Sequence, residues 1–157
     1  MRTHARVVVI GGGVVGVSTL YHLAKKGWSD VVLVERRELT SGSTWHAAGL
    51  LPLFNLSYSV GQIHKYSVAL YRTLEAETGQ PVGFRQVSNI RLARTADRWD
   101  EYMYYAGVAR TIGVAVNVLT PAEVKSIWPL CETDGLLGAI QHPDDGYIQP
   151  ADLTQAL

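Results

Sequence analysis

A run of β-branched residues that stops on three glycines constrains this chain more than any other feature. Arg6 to Ile10 reads RVVVI, and Gly11 to Gly13 follow at once. Such a run fits a strand buried on both faces of a parallel sheet. The spacing Gly11-x-Gly13-x-x-Gly16 turns that strand into a helix, predicted to about Lys26. Val14, Val17, Leu20 and Leu23 form its apolar side, and Gly27 stops it. Val31 to Glu35 (VVLVE) is then a second buried strand. Strand, helix and strand over about thirty residues make a βαβ unit.

The glycines have separate duties in such a unit. Gly11 permits the tight turn, Gly13 lets a pyrophosphate approach the backbone, and Gly16 lets helix and strand pack closely. The free N–H groups and dipole at the helix start attract phosphate. Glu35 ends the second strand, where a carboxylate can accept from both ribose hydroxyls and repel a 2′-phosphate; Arg36 and Arg37 soften that exclusion. The unit therefore predicts a dinucleotide, and by itself does not separate FAD from NAD.

Beyond Leu50 the character changes. Helices are predicted at Gly61 to Thr78, with Ile63, Tyr66, Leu70 and Leu74 on one stripe, and from Thr95 to Gly113, carrying Trp99, Met103, Ala106 and Ile112. Thr120-Pro121-Ala122-Glu123 starts a short helix with a capping box, ended by Pro129. Short strands are expected at Phe84 to Val87, Asn89 to Ala93, Val114 to Leu119 and Leu136 to Gln141, with a turn at Pro143 to Gly146. Pro150 to Leu157 opens a further amphipathic helix, and two parallel strands cannot complete a doubly wound sheet. The expected fold class is α/β: a Rossmann-type βαβ unit for FAD or NAD(P), with the start of an α+β substrate domain, in an incomplete chain. The expected division is 1–80 for the cofactor domain, 81–146 for part of the substrate domain, and 147–157 for a helix returning to the first.

Equal numbers of basic and acidic side chains, fourteen each, and no basic run argue against nucleic acid as a partner. No apolar run reaches the roughly twenty residues that cross a bilayer, so membrane insertion is not expected. The opening MRTHARVVVI leaves no room for a leader, and the single Cys131 suits a reducing compartment. The expected location is the cytoplasm, with the mitochondrial matrix as the alternative. His4, His22, His64 and His142 lack metal-ligand spacing, so no metal is expected.

GGGVVG with VVLVER, then LTSGSTWHAAGL, ETGQPVGF, SNIRLA, LTPAEVKSIWPL and DDGYIQP resemble the dimethylglycine and sarcosine dehydrogenase family of flavoproteins along essentially the whole chain. The resemblance implies FAD joined covalently through His46 to the flavin 8α-methyl. It implies flavin contacts from the backbone at Val14 and Val15, ribose contacts from Glu35 and Arg36, and a pocket wall from Gly42, Ser43, Thr44, Trp45, His46, Ala47, Ala48, Gly49 and Leu50. It further implies oxidation of the N-methyl group of a small amino acid, an electron acceptor that is oxygen or an electron-transfer flavoprotein, and tetrahydrofolate in the full-length protein. No general base is identifiable in this stretch.

The residues themselves are compatible with that reading. Ser43 and Thr44 offer hydroxyls, Ala47 to Gly49 let a backbone run against a flat ring, and a neutral imidazole at His46 is a nucleophile. Three alternatives stand beside it: His46 as a hydrogen-bonded pocket residue without a covalent bond, an NAD-dependent dehydrogenase, and a non-catalytic remnant that binds a partner through an open sheet edge. Tyr102, Tyr104 and Tyr105 are either helix packing or an aromatic cage for a methylated amine. The chain alone is expected to bind FAD poorly and to oxidise no amine.

Overall fold

A computed structural model describes residues 3–157. The reading of the opening as leaderless involves Met1 and Arg2, which lie outside the described residues. The chain divides into two compact units. One comprises the described residues up to Gly49 together with Leu70–Phe84 and Ile148–Leu157; the other comprises Leu50–Ala69 and Arg85–Tyr147.

In the first unit, β1 (Val7–Ile10) pairs in parallel with β2 (Val31–Val34), Val7 opposite Val31 and Ile10 opposite Val34. The crossover helix α1 (Val14–Lys25) packs on both. Burial of both strand faces, expected from the sequence, is not what this chain shows. Val8, Ile10 and Val34 are exposed, Ile10 at 85 %, because α1 covers one face and alternate residues point to the other. The later turns of α2 (Tyr58–Thr78) lie in this unit, where Glu77 accepts from Tyr21 and Lys25 of α1. The return helix α5 (Pro150–Ala156) starts on Pro150 and packs on α1.

In the second unit, the two-residue strands β3 (Leu50–Leu51), β4 (Arg85–Gln86) and β8 (Gly146–Tyr147) form an antiparallel sheet with β8 central. The sheet of β5 (Asn89–Ala93), β6 (Asn117–Leu119) and β7 (Gly138–His142) has β7 central. Successive β7 residues face opposite ways. Ile140 joins Ala93, Tyr102, Tyr105 and Ala109 beneath α3 (Ala96–Ile112), while Ala139 joins Leu119, Val124, Cys131 and Leu136 beside α4 (Pro121–Ile127). The caps are those the sequence names: Thr95 accepts from Arg98 N, Thr120 and Glu123 complete the capping box, and Gly113 ends α3 in the left-handed region. Residues 50–69 group with this unit rather than with the first. β3 pairs with β8, and Gln62 of α2 donates to Ile112 O at 3.0 Å.

One packing expectation changes, and one open alternative closes. On α2 the buried positions are Gly61, Val68 and Leu74, and Ile63 and Tyr66 are exposed. On α3, Tyr102 and Tyr105 are buried while Tyr104 is 69 % exposed, so the three tyrosines point apart and form no cage.

The interior of this unit holds the titrating side chains of His142 and Asp145, both essentially without solvent contact. Burial lowers His142 from 6.5 to about 4; the Arg91 charge adds to this, while the Ala115 backbone and Asp144 oppose it. Burial raises Asp145 from 3.8 to about 6, against the Leu53 N–H and Arg91. Asp145 therefore contributes stability below pH 3.8 that is lost as pH rises through about 6. His142 contributes above pH 6.5, and that is lost as pH falls through about 4. The two slopes oppose one another in mildly acid solution. Asp145→Asn should uncover the histidine slope, with stability falling on acidification by up to about 1.4 kcal/mol per pH unit. His142→Phe should uncover the opposite slope. Urea titrations at half-unit pH steps check both, and parallel profiles in the two variants would contradict the assignment.

Candidate functional site

Gly11 leaves β1 with φ +109°, and its N–H donates to Val34 O at 2.8 Å. That conformation suits glycine alone, and an added Cβ would meet nothing within 4 Å, so the turn faces open space. Gly12 is gripped on both sides. Its N–H donates to Glu35 Oε2 at 2.7 Å, and its carbonyl accepts from Thr40 N at 2.9 Å. Gly16 packs against the turn itself, where a Cβ would lie 2.0 Å from Gly11 O.

Glu35 Oε1 accepts from Arg37 N at 2.9 Å. The Gly12 N–H, and after it the Arg37 N–H, hold the carboxyl below its ordinary range. Glu35 is thus an anion at neutral pH, and each oxygen keeps a lone pair for a further donor such as a hydroxyl. Arg36 is exposed beside it and reinforces its charge.

The stretch after β2 returns to the start of α1. Thr44 opens a 3₁₀ turn, Thr44–His46, and its Oγ1 accepts from Val14 N at 3.0 Å. A threonine remote in sequence thereby caps a helix whose own N-cap, Gly13, has no side chain to do so. α5 packs against the same 3₁₀ turn. The Thr44 contact brings the glycine turn and the histidine stretch together. Thr44 is buried, whereas Gly42, Ser43, Trp45, His46, Ala47, Ala48 and Leu50 are exposed.

His46 is oriented within this turn. Its Nδ1 lies 3.1 Å from Gly42 O, and its ring is 3.9 Å from that of Trp45 at a tilt of 35°. A carbonyl oxygen has no proton to give, so Nδ1 is the donor and Nε2 carries the lone pair. Gly49 then turns the chain away at φ +72°, with its carbonyl accepting from Ile148 N at 2.9 Å.

The residues named from sequence therefore fall into one surface group. Gly11, Gly13, Gly16, Val14 and Val15 belong to the turn and first turn of α1, Glu35 and Arg36 flank it, and Gly42 to Gly49 follow from the Thr44 contact, whereas Leu50 belongs to the second unit. The sequence reading gave Gly12 and Thr40 no part in the site and Arg37 only its charge, yet their backbone atoms fasten the carboxylate and the loop to the glycine turn. The signal for Gly12 was present in its position between the two motif glycines; the other two act through backbone atoms and leave no residue-type signature. No acidic side chain occupies the first turn of α1. An open glycine turn, a helix start free of acidic side chains and a fixed carboxylate suit the diphosphate and ribose of an adenine dinucleotide. Among the described residues there is no group of metal-ligating side chains, and no helix is long and apolar enough to cross a membrane.

The family model for FAD-dependent oxidoreductases matches residues 6–157. Dimethylglycine dehydrogenase, a mitochondrial protein of Rattus norvegicus, is 46 % identical over 99 % of this chain and 18 % of its own length. Mitochondrial sarcosine dehydrogenase of Homo sapiens is 45 % identical over 94 % of this chain and 16 % of its own. Among solved structures, L-proline dehydrogenase from P. horikoshii superposes with a TM-score of 0.91 at 29 % identity, over 99 % of this chain and 41 % of that one. The chain thus spans less than a fifth of the two curated relatives it resembles.

Proposed function

This chain belongs to the family of FAD-dependent oxidoreductases, and from that premise we propose that it holds the FAD of an enzyme that oxidises the N-methyl group of a small amino acid such as dimethylglycine or sarcosine. Family membership favours FAD over NAD, which the glycine turn alone left open. The substrate class rests on the names of the rat and human relatives. The observation that carries the cofactor reading is the Thr44–Val14 contact, which brings the histidine stretch to the N-terminal end of α1.

In this reading the amides at the start of α1 bind the diphosphate, and Glu35 orients the adenosine ribose. The unit that runs up to Gly49 and takes in Leu70–Phe84 and Ile148–Leu157 contributes to the cofactor domain, and the unit of Leu50–Ala69 and Arg85–Tyr147 to the substrate domain. FAD, when bound, supplies a two-electron acceptor for a hydride from the N-methyl C–H bond. The oxidised amine then hydrolyses to formaldehyde, or its one-carbon unit passes to a tetrahydrofolate held elsewhere in the polypeptide. His46 tethers the cofactor through Nε2. Such a tether would replace one imidazole N–H and one C–H of the flavin methyl by a C–N bond, and the two protons and two electrons released would go to dioxygen as hydrogen peroxide. The mitochondrial relatives favour the matrix over the cytoplasm as the location.

The test is denaturing electrophoresis of the polypeptide that carries this sequence, viewed under ultraviolet light, alongside assay of formaldehyde released from dimethylglycine and sarcosine. Flavin fluorescence travelling with the band and formaldehyde from either amine are expected. A colourless protein that shifts NADH fluorescence would overturn the proposal.

A further inference from the structure

His46 stands on an exposed turn, where an imidazole would ordinarily rotate among several side-chain conformations. Two contacts restrain it, and both come from residues close by in the chain. Nδ1 lies 3.1 Å from Gly42 O, and the ring centroid lies 3.9 Å from that of Trp45 with the planes 35° apart. Gly42, Trp45 and His46 all belong to the first compact unit. The backbone beneath them is fixed. His46 N donates to Ser43 O at 3.2 Å, Ala47 N donates to Thr44 O at 3.1 Å, and the buried Thr44 accepts from Val14 N.

The two contacts do different things. The Gly42 carbonyl selects the nitrogen, because it makes Nδ1 the donor and leaves the lone pair on Nε2. As a restraint it is weak, since water competes for both partners of an exposed hydrogen bond; such a bond favours one orientation by about tenfold at most. It also leaves the imidazole free to rock about the line from Nδ1 to the oxygen. The indole limits that rocking by lying against the imidazole. A close aromatic pair adds roughly another 2- to 10-fold to the population of the held orientation. Trp45 is 60 % exposed, so it lends little to the core of its unit, and its contact with His46 can be removed without unfolding the chain.

We propose that Trp45 is a positioning residue for flavin attachment: together with the Gly42 carbonyl it confines the His46 imidazole to one orientation, with Nε2 aimed for bonding to the flavin 8α-methyl. This role rests on the proposed His46 tether. Attachment would replace one imidazole N–H and one C–H of the flavin methyl by a C–N bond, with two protons and two electrons passing to dioxygen as hydrogen peroxide. The Nε2 lone pair lies in the plane of the imidazole and must point at the methyl carbon. The rate therefore follows the fraction of imidazoles already held in line.

The experiment uses the polypeptide that carries this sequence, produced without flavin and then given enough FAD to saturate each variant. The ratio of flavin retained after denaturation to total bound flavin is followed in time, together with the melting temperature. Trp45→Ala should slow attachment by roughly 2- to 10-fold with the melting temperature unchanged. Trp45→Phe keeps a ring beside His46 and should restore a rate near that of the wild type. Weaker FAD affinity in Trp45→Ala, with bound flavin still attaching at the wild-type rate, would make Trp45 a flavin-binding side chain alone and overturns the proposal. A lowered melting temperature, with attachment slowed equally in the alanine and phenylalanine variants, would mark a structural role and overturns it as well. Absence of retained flavin in the wild type would sink the His46 tether and the positioning role with it. Retained flavin in the wild type, with an unchanged rate in Trp45→Ala, would sink the positioning role alone.

Discussion

His46→Ala should release all flavin from the polypeptide on denaturation while leaving FAD bound in the native protein. His46 is the only imidazole between Gly42 and Leu50, and the bond from Nδ1 to Gly42 O leaves Nε2 as the nucleophilic nitrogen. Alanine removes that nitrogen without disturbing the Thr44–Val14 bond, the Glu35–Gly12 bond or the glycine turn. Binding of the adenine half should persist for that reason. An imidazole substituent withdraws electrons from the flavin and makes it a stronger oxidant, so amine oxidation should also slow, by about tenfold or more, which is about 1.4 kcal/mol in barrier. The measurements are in-gel fluorescence, flavin in the acid supernatant, and formaldehyde production. Fluorescence that stays with the His46→Ala band would place the tether elsewhere. A wild-type protein whose flavin is entirely released would leave His46 as a hydrogen-bonding pocket residue.

The βαβ unit and its glycine turn were legible because they are written locally. A β-branched run, three spaced glycines and a carboxylate at the end of the next strand each act on near neighbours, and β1, α1, β2 and Glu35 lie where that logic puts them. Caps were legible for the same reason, since Thr95 and Thr120 bond within their own first turn. Long-range satisfaction was not. Asp145 reads as a turn residue in PDDG, and nothing in that tetrapeptide announces a buried bond to Leu53. Thr44 reads as one hydroxyl in a Ser/Gly/Thr loop, yet it caps α1. The burial of β1 and β2 was misjudged because periodicity reports which faces are apolar, whereas only one of those faces meets α1 in this chain. The aligned apolar stripe on α2 failed similarly: Ile63 and Tyr66 are apolar enough for a core, but the buried side runs through Gly61, where a Cβ would come within 2.6 Å of Ile112.

Gly16→Ala should be a severely damaging one-carbon change at the glycine turn. The new Cβ would lie 2.0 Å from Gly11 O and 3.5 Å from Val9 Cγ1. Backbone oxygen cannot swing aside as the end of a side chain can, and Gly11 is held by its bond to Val34 O and by its left-handed φ. Relief requires α1 to slide away from β1, which moves the Val14 amide off Thr44 and tilts the N–H groups at the start of α1 together. Overpacking of this kind costs on the order of 3 kcal/mol, and misdirected amides should weaken FAD binding by at least tenfold in addition. The same substitution at Gly107, an exposed position inside α3 with nothing within 4 Å of an added Cβ, should instead stabilise the protein by about 0.5–1 kcal/mol through helix propensity. Thermal melts with and without FAD, on both variants, separate the contributions. A Gly16→Ala protein with wild-type melting temperature and FAD affinity would show that helix and turn have room that the 2.0 Å approach denies.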